Sequence, residues 1–327
     1  MQAITREALV QKAASLLENG TVDTVLGWKK GEFDYDITPA AFTSAEALEQ
    51  FVWNDFCGAN LSKYLVAAAK KTSSKILVFL KPCDTYSINQ LFTEHRIDKE
   101  KVYAVGVPCN GMADINKIKA VTGDGISGIE CNENIEVSTI YSDSAIAVNP
   151  ADVMADRCIT CKSKKHVYFD ELLGDDGDVL DSHRFDEVER LEAMTAEERF
   201  EFWQSQLSRC IRCNACRDVC PACTCEKCVF DNPAHSLENK APANSFEEKM
   251  FHIIRAFHVA GRCTDCGECS RVCPQHIPLH LLNRKFIKDI DNFYGEYQAG
   301  EQEGGISPLT NYTTEDIEPA QAFEERG

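Results

Sequence analysis

Apolar residues first recur at helical spacing over residues 5–18, where Leu9, Val10, Ala13, Leu16 and Leu17 share a face. Gly20 then stands where a glycine would end the helix. Thr43 and Glu46 form a capping-box pattern that predicts a second helix through Phe51, Val52 and Trp53, and residues 61–70 read as a third. The period then changes. Ile76–Leu80 is a short continuous apolar run, helix-like residues follow to Phe92, residues 102–107 are another apolar run, and residues 112–121 are helix-like again. Apolar strand, helix, apolar strand, helix predicts an α/β domain with a parallel sheet.

Beyond that domain, expected at residues 1–175, the pattern turns acidic. Residues 176–206 read as a linker followed by a charged helix, with Phe200, Trp203 and Leu207 as an apolar edge. That edge could lean on the C-terminal part of the chain, although a solvated connecting helix accounts for most of the charge. Within residues 207–290, Ser245 and Glu248 form a further capping box. Phe246, Met250, Ile253, Ile254 and Phe257 mark an apolar face, and Gly261 ends that helix. Residues 291–327 are an acidic tail with little periodicity beyond Gly300, expected to be extended, and either disordered or wrapped on a partner.

The net charge of −18 argues against nucleic acid and anionic membrane surfaces and suits docking to basic partners. No apolar run approaches the roughly 18 residues of a membrane span, so no direct membrane insertion is expected. Seventeen cysteines in a chain of this length, in metal-ligand spacings and without a secretory segment, point to a reducing, cytoplasmic compartment.

Those cysteines carry the chemistry. Cys210, Cys213, Cys216 and Cys220 precede Pro221, and Cys263, Cys266, Cys269 and Cys273 precede Pro274. Both runs read C-x-x-C-x-x-C-x-x-x-C-P, the bacterial ferredoxin pattern, in which three cysteines bind one cubane and the fourth crosses to the other. This assigns Cys210, Cys213, Cys216 and Cys273 to one 4Fe-4S cluster, and Cys263, Cys266, Cys269 and Cys220 to its neighbour. Paired zinc knuckles are the alternative, but zinc sites use well-separated C-x-x-C pairs without a closing proline. The helix expected between the runs leaves no room for a small two-stranded ferredoxin. A mainly helical ferredoxin-type dicluster domain is therefore expected behind the α/β domain.

A third site is suggested upstream. Cys83 follows one apolar run and Cys109 the other, just past the carboxyl ends of expected strands, where open α/β sheets place ligands. With the C-x-x-C of Cys158 and Cys161 they could close a third 4Fe-4S cluster. Alternatively, Cys83 and Cys109 are small buried residues. Cys57 is a substitute ligand, and Cys131 looks incidental.

The stretches VWNDFCGANLSKYL, FLKPCDTYSINQLF and VYAVGVPCNGM, with the block CITCKSKKHVYFDELLGD, resemble the β-subunit family of deazaflavin-coenzyme-dependent hydrogenases and formate dehydrogenases. The resemblance spans residues from about 20 to 290. It implies an α/β domain holding FAD and one 4Fe-4S cluster, and it favours Cys83, Cys109, Cys158 and Cys161 as that cluster's ligands. The glycine-rich segment of the family is reduced here to residues 174–177. Members fused to a dicluster ferredoxin often accompany heterodisulfide-reductase-like proteins.

Other signals are weaker. Gly123, Gly125 and Gly128 fit G-x-G-x-x-G, but a helix-like stretch precedes them and a strand-like one follows, which reverses the dinucleotide context. Cys223, Cys225 and Cys228 could hold a further metal or be reduced thiols shielding the first cluster; Cys57 and His235 are the remaining candidates for a fourth ligand. His252, His258, His276 and His280 read as surface or packing residues, with tuning of a cluster open to any that lies near one. No Ser/His/Asp set, P-loop or H-E-x-x-H points to hydrolysis.

The sequence thus predicts an iron–sulfur electron-transfer subunit of an anaerobic oxidoreductase complex. The expected partners are a catalytic formate dehydrogenase or hydrogenase subunit and a heterodisulfide-reductase-like flavoprotein. One alternative is a flavin-dependent reductase that oxidises a nicotinamide or deazaflavin coenzyme itself. Another is a scaffold with structural clusters.

Overall fold

The computed structural model describes residues 4–180, 183–231 and 245–312, without the side chains of 245–249. The elements run in chain order as α1 (Arg6–Glu18), β1 (Thr24–Lys30), β2 (Ile37–Phe42), α2 (Ser62–Ala68), β3 (Ile76–Leu80), α3 (Pro82–Thr93), β4 (Val102–Gly106) and α4 (Ile115–Thr122). Strands β5 (Ile126–Cys131), β6 (Ile135–Thr139) and β7 (Ser142–Val148) follow, then α5 (Asp156–Ile159) and β8 (Glu171–Leu172). Among the described residues, the α-helices that follow are α6 (Asp186–Glu192), α7 (Ala196–Leu207), α8 (Ala215–Asp218), α9 (Ser245–Val259), α10 (Glu268–Arg271) and α11 (Leu279–Tyr294).

Five strands form one sheet in the order β2-β1-β3-β4-β8; β2 is antiparallel to β1 and the other pairs are parallel. Every residue of β3 is buried, as a central strand covered on both faces requires. β3 and β4 run in parallel register from Ile76 opposite Val102 to Leu80 opposite Gly106, so both carboxyl ends open on the same side. Thr5 caps α1, and Leu9, Ala13 and Leu16 bury into the core formed by β1, β3 and β4. A separate antiparallel sheet of β5, β6 and β7 has its own small core around Ile118, Ile135 and Val137.

Two sequence expectations fail in this half. Residues 43–53 do not form an α-helix: only a short 3-10 turn spans Ala47–Gln50, without a side-chain cap on its N-cap Glu46, and the Ala47 amide donates to the Ser44 hydroxyl at 3.1 Å. Phe51 instead bridges to Lys29 beside β1, and the Val52 amide donates to the Trp28 carbonyl at 2.8 Å. Tertiary burial explains this, because Phe51 and Trp53 pack on Trp28, and an aromatic cluster outweighs a weak capping signal. Strands β1 and β2 are also absent from the sequence reading; Pro39 hides β2, which tolerates proline because it is an edge strand. The G-x-G-x-x-G segment ends α4 at Gly123 and enters β5, so helix precedes strand there.

In the second half, α7 carries a capping box of Thr195 and Glu198, and Leu207 joins Phe230, Phe251, Ile277 and Leu279 in one core. Trp203 packs on that core while Phe200 stays exposed, so only part of the expected apolar edge is used. The capping box of Ser245 and Glu248, and Phe246 on the same helix, lie outside the described side chains, as do residues 313–327 of the tail. The described part of the tail folds back on the chain. Tyr297 donates to the Gly261 carbonyl at 3.0 Å, Arg184 to Gln298 at 2.7 Å, and Lys99 pairs with Glu303 at 2.7 Å. Among the described residues, no helix is long and apolar enough to cross a membrane.

Candidate metal centres

Three parts of the chain converge at the open end of β3 and β4. Pro82 occupies the first turn of α3, where its missing amide is no loss, and sets Cys83 just beyond β3. Cys109 follows β4 by three residues, and α5 with the loop behind it supplies Cys158 and Cys161. These four thiols line one cavity. His166 ties the convergence together: its Nε2 lies 3.1 Å from the Leu80 carbonyl and 3.2 Å from that of Val107, and its Nδ1 lies 2.7 Å from Asp176. The side chain thus clamps the ends of both strands to the segment that follows Cys161.

Cations surround these sulfurs. Lys81, Arg157, Lys162 and Lys164 also line the cavity. Lys81 is fully buried, pairs with Asp84 at 2.9 Å, donates to the Ala59 carbonyl at 2.9 Å and sits 4.6 Å from the Trp28 ring. Burial works against a charge on Lys164, but Cys109, Cys161, Cys158 and Cys83 all face it and hold its ammonium above the usual range. Burial pushes Cys109 up to about 11 and Cys83 well above an ordinary thiol. As thiolates these residues therefore need positive charge beside them, which the lysines supply in part and a cluster core would supply in full. The donor set fits a cubane. Cys57 does not belong to it: it is buried in the hydrophobic core with its sulfur against the Val52 carbonyl and Asn54, and is no substitute ligand. Cys131 lies in β5 of the small sheet, away from the cavity.

The two ferredoxin-type runs fold alike. Arg212 and Asn214 in the first, and Asp265 and Gly267 in the second, are left-handed, and each run then enters a four-residue helix, α8 or α10. The same left-handed turns recur at the same places in both runs, so the two backbones wrap alike. Cys210, Cys213 and Cys216 share one cavity with Cys273, the last cysteine of the other run. In the reciprocal group burial raises the thiols, against the lowering effect of Arg255 at Cys269, and the charge of Cys220 acts on Cys263, Cys266 and Cys269 alike. His252 Nε2 approaches the Cys210 sulfur at 3.2 Å, and burial lowers that imidazole to about 3, so it stays neutral. Asn283 donates to the Cys269 sulfur at 3.7 Å. His252 thus contacts a site, whereas His280 bonds Ser270 and His258 packs near Phe230. The Cys223 thiol hydrogen-bonds Cys220; Cys225 is exposed, Cys228 packs on the core, and His235 lies outside the described residues.

A buried ionic joint holds the two halves together. Glu268, first residue of α10 and 1 % exposed, accepts from the Asn60 amide at 3.2 Å and from Arg271 at 2.7 and 2.8 Å, and pairs with Arg157. Burial raises its carboxyl, but Arg271 and Arg157 more than offset that and hold it near 2. On the other side of the junction, Asp265 pairs with Arg284 at 2.8 Å and Arg184 at 3.1 Å. Sequence inspection missed these groups. The available signal was adjacency, since Lys81, Arg157, Lys162 and Lys164 each lie within three residues of a cysteine lining the cavity.

A family model of the 4Fe-4S dicluster domain matches residues 206–277. The chain is similar to the F420-dependent formate dehydrogenase subunit beta of Methanocaldococcus jannaschii, with 25% identity over 84% of this chain and 86% of that protein. It is similar to the F420-dependent formate dehydrogenase 1 subunit beta of Methanococcus maripaludis, with 26% identity over 84% of this chain and 87% of that protein. The solved structure of the xenon-derivatised F420-reducing [NiFe] hydrogenase complex from Methanosarcina barkeri aligns with 62% of this chain and 86% of that one, at 13% identity and a TM-score of 0.40.

Proposed function

We propose that this chain, which is similar to F420-dependent formate dehydrogenase beta subunits and carries a 4Fe-4S dicluster domain, is an electron-transfer subunit of an oxidoreductase complex that joins a two-electron site to a one-electron relay. The α/β part, residues 1–175, holds a cluster on Cys83, Cys109, Cys158 and Cys161. A helical ferredoxin-type part, residues 207–290, holds a nearer cluster on Cys263, Cys266, Cys269 and Cys220, and a farther one on Cys210, Cys213, Cys216 and Cys273. Residues 176–206 connect the two parts, and the acidic tail follows from 291.

The observation that carries this reading is the wall of the N-terminal cavity. Beside its four thiols it includes Asp265 and Cys266, so the nearer ferredoxin site begins where the N-terminal site ends. Bound clusters supply one-electron redox chemistry. The chain's own residues set burial, hold the thiolates with Lys81, Lys162 and Lys164, and fix the spacing through Arg157 and Glu268.

FAD is the proposed two-electron group. A groove between the start of α4, α5 and the segment after α10 offers the aromatic faces of Tyr35 and Phe56, with Lys117, Arg157 and Arg271 in its wall; a diphosphate there would share these cations with Asp156 and Glu268. It adjoins the four-thiol cavity, since both include Met112 and Arg157. Flat aromatic surface beside cations fits an isoalloxazine and its pyrophosphate. The coenzyme exchanging electrons there would be the deazaflavin of the relatives. The partners would be a formate dehydrogenase or hydrogenase catalytic subunit and a heterodisulfide-reductase-like flavoprotein, in a reducing cytoplasm. The groove also favours a second reading, a reductase that oxidises the coenzyme without a catalytic partner.

Iron, sulfide and flavin per chain, measured after anaerobic purification, test the proposal. About 12 irons with one flavin are expected, and a Cys83→Ala, Cys158→Ala variant should lose about four irons. About 8 irons without flavin in the native chain would reduce it to a passive two-cluster relay. Bleaching of bound flavin by reduced coenzyme in the isolated chain would favour the second reading.

A further inference from the structure

We infer that two buried arginines, Arg157 and Arg255, are positioning residues of the relay, one at each junction between neighbouring cluster sites, and that each raises the potentials of the two clusters it lies between. The part concerning Arg157 rests on the proposed N-terminal cluster; the part concerning Arg255 rests on the dicluster domain alone.

Arg157 precedes Cys158 and lines the four-thiol cavity. Its guanidinium donates to the Gly58 carbonyl at 2.8 Å and crosses the junction to the carbonyl of Cys266 at 3.2 Å, while also pairing with Glu268. Arg255, on α9 and 3 % exposed, has the same relation to the next junction. It donates to the carbonyl of Cys216, in the first run, at 3.0 Å, and its charge beside Cys269, in the second, works to lower that thiol. Each arginine thus lies against residues of both sites that it separates.

Both also leave the same atom unsatisfied. The Nε of Arg157 and the Nε of Arg255 are buried without a hydrogen-bond partner among the described residues. A buried donor without an acceptor is costly, because it has given up its hydrogen bonds to water. Thiolate-bound iron–sulfur cores present acceptor sulfurs, Arg157 lines the four-thiol cavity and Arg255 lies against Cys216 and Cys269, so the free N–H groups have a natural acceptor there. Guanidinium stays charged at every working pH, which makes it a fixed cation rather than a switch. A cluster held by four thiolates becomes more negative on reduction. A fixed cation and an N–H donated to sulfur therefore both favour the reduced state.

The two arginines differ in compensation. Arg157 is partly neutralised by Glu268, whereas among the described residues Arg255 has no carboxylate in ion-pair range. Arg255 should exert the larger effect, and the nearer ferredoxin cluster, which lies between both arginines, should feel both.

The test is redox-titrated electron paramagnetic resonance of the anaerobic holoprotein, with iron content as the control for folding. Arg255→Gln should lower the potentials of both ferredoxin-type clusters by about tenfold in the one-electron equilibrium, about 59 mV, and leave the N-terminal cluster unmoved. Arg157→Gln should lower the N-terminal and nearer clusters by less, and leave the farther cluster unmoved. The lysine variants, Arg255→Lys and Arg157→Lys, keep the charge but lose the Nε donor, and should give smaller shifts in the same pairs. If either glutamine variant loses iron, its lysine counterpart decides. Full iron with unmoved potentials, or shifts that fall equally on all clusters, would overturn the inference. A native count of about 8 irons would sink the N-terminal cluster and the Arg157 arm with it, while the Arg255 arm would still be read from the two remaining clusters.

Discussion

Glu268→Gln should loosen the joint between the two halves of the chain, because the carboxylate is the common anion of Arg157 and Arg271 and accepts the Asn60 amide. Its carboxyl is held near 2 against an ordinary 4.5. At about 1.4 kcal/mol per unit, that difference is about 3 kcal/mol of stability at neutral pH. Breaking a buried pair by removing one partner costs about 3–5 kcal/mol, so the two routes agree. Urea unfolding of the anaerobic protein, followed by tryptophan fluorescence and cluster absorbance, measures the loss. With a slope of about 3 kcal/mol per molar, the midpoint should fall by about 1 M. Arg157→Gln added to Glu268→Gln should cost less than it does alone, since Arg157 has by then lost its anion. The pH dependence has a definite sign. A carboxyl lowered by folding stabilises fully above its unfolded value of 4.5 and loses that contribution as pH falls towards 2. The gap between native protein and variant should therefore be full at pH 7 and narrower by about 1 kcal/mol at pH 4. A midpoint that does not move, or a gap that widens as the pH falls, would refute the reasoning.

Two further outcomes rest on single contacts. His252→Leu removes the ring nitrogen 3.2 Å from the Cys210 sulfur and should disfavour reduction of the farther cluster by about tenfold, read by potentiometric titration; an unchanged potential would show that this contact tunes nothing. Gly300 has φ +76, and a Cβ there would run into the Tyr86 carbonyl. Gly300→Ala should cost at least about 1–2 kcal/mol and lift the strap after α11, speeding cleavage at Glu301 and Glu303 by a glutamate-specific protease about tenfold or more, and equal cleavage rates would count against a docked strap.

Legibility in the sequence followed the range of the interaction. The spacing of Cys210, Cys213 and Cys216, repeated in Cys263, Cys266 and Cys269, is a local constraint, because one short turn must present three sulfurs. Helices α1, α3 and α9 and the buried run of β3 are also local, since period and burial are written in neighbouring residues. The convergence of Cys83 and Cys109 was legible because both follow apolar strands that had to lie side by side. The failure at residues 43–53 has the opposite cause, as does the absence of β1 and β2 from the reading: there the partners lie elsewhere, and a capping pattern is weaker than burial of Phe51 and Trp53 on Trp28.

The cysteine spacing by itself thus determined an iron–sulfur chemistry in the C-terminal part of the chain. Only the tertiary structure decided that Cys158 and Cys161 meet Cys83 and Cys109, that Cys266 walls the same cavity, and that Arg157, Arg255 and Glu268 lie buried at the junctions. Glu268 meets the amide of Asn60 across 208 residues, and Arg157 meets Cys266 across 109. No local pattern encodes such a pair. A charged side chain is ordinarily solvated, and becomes a structural and electrostatic element only when folding removes its water and leaves the opposite charge as its partner.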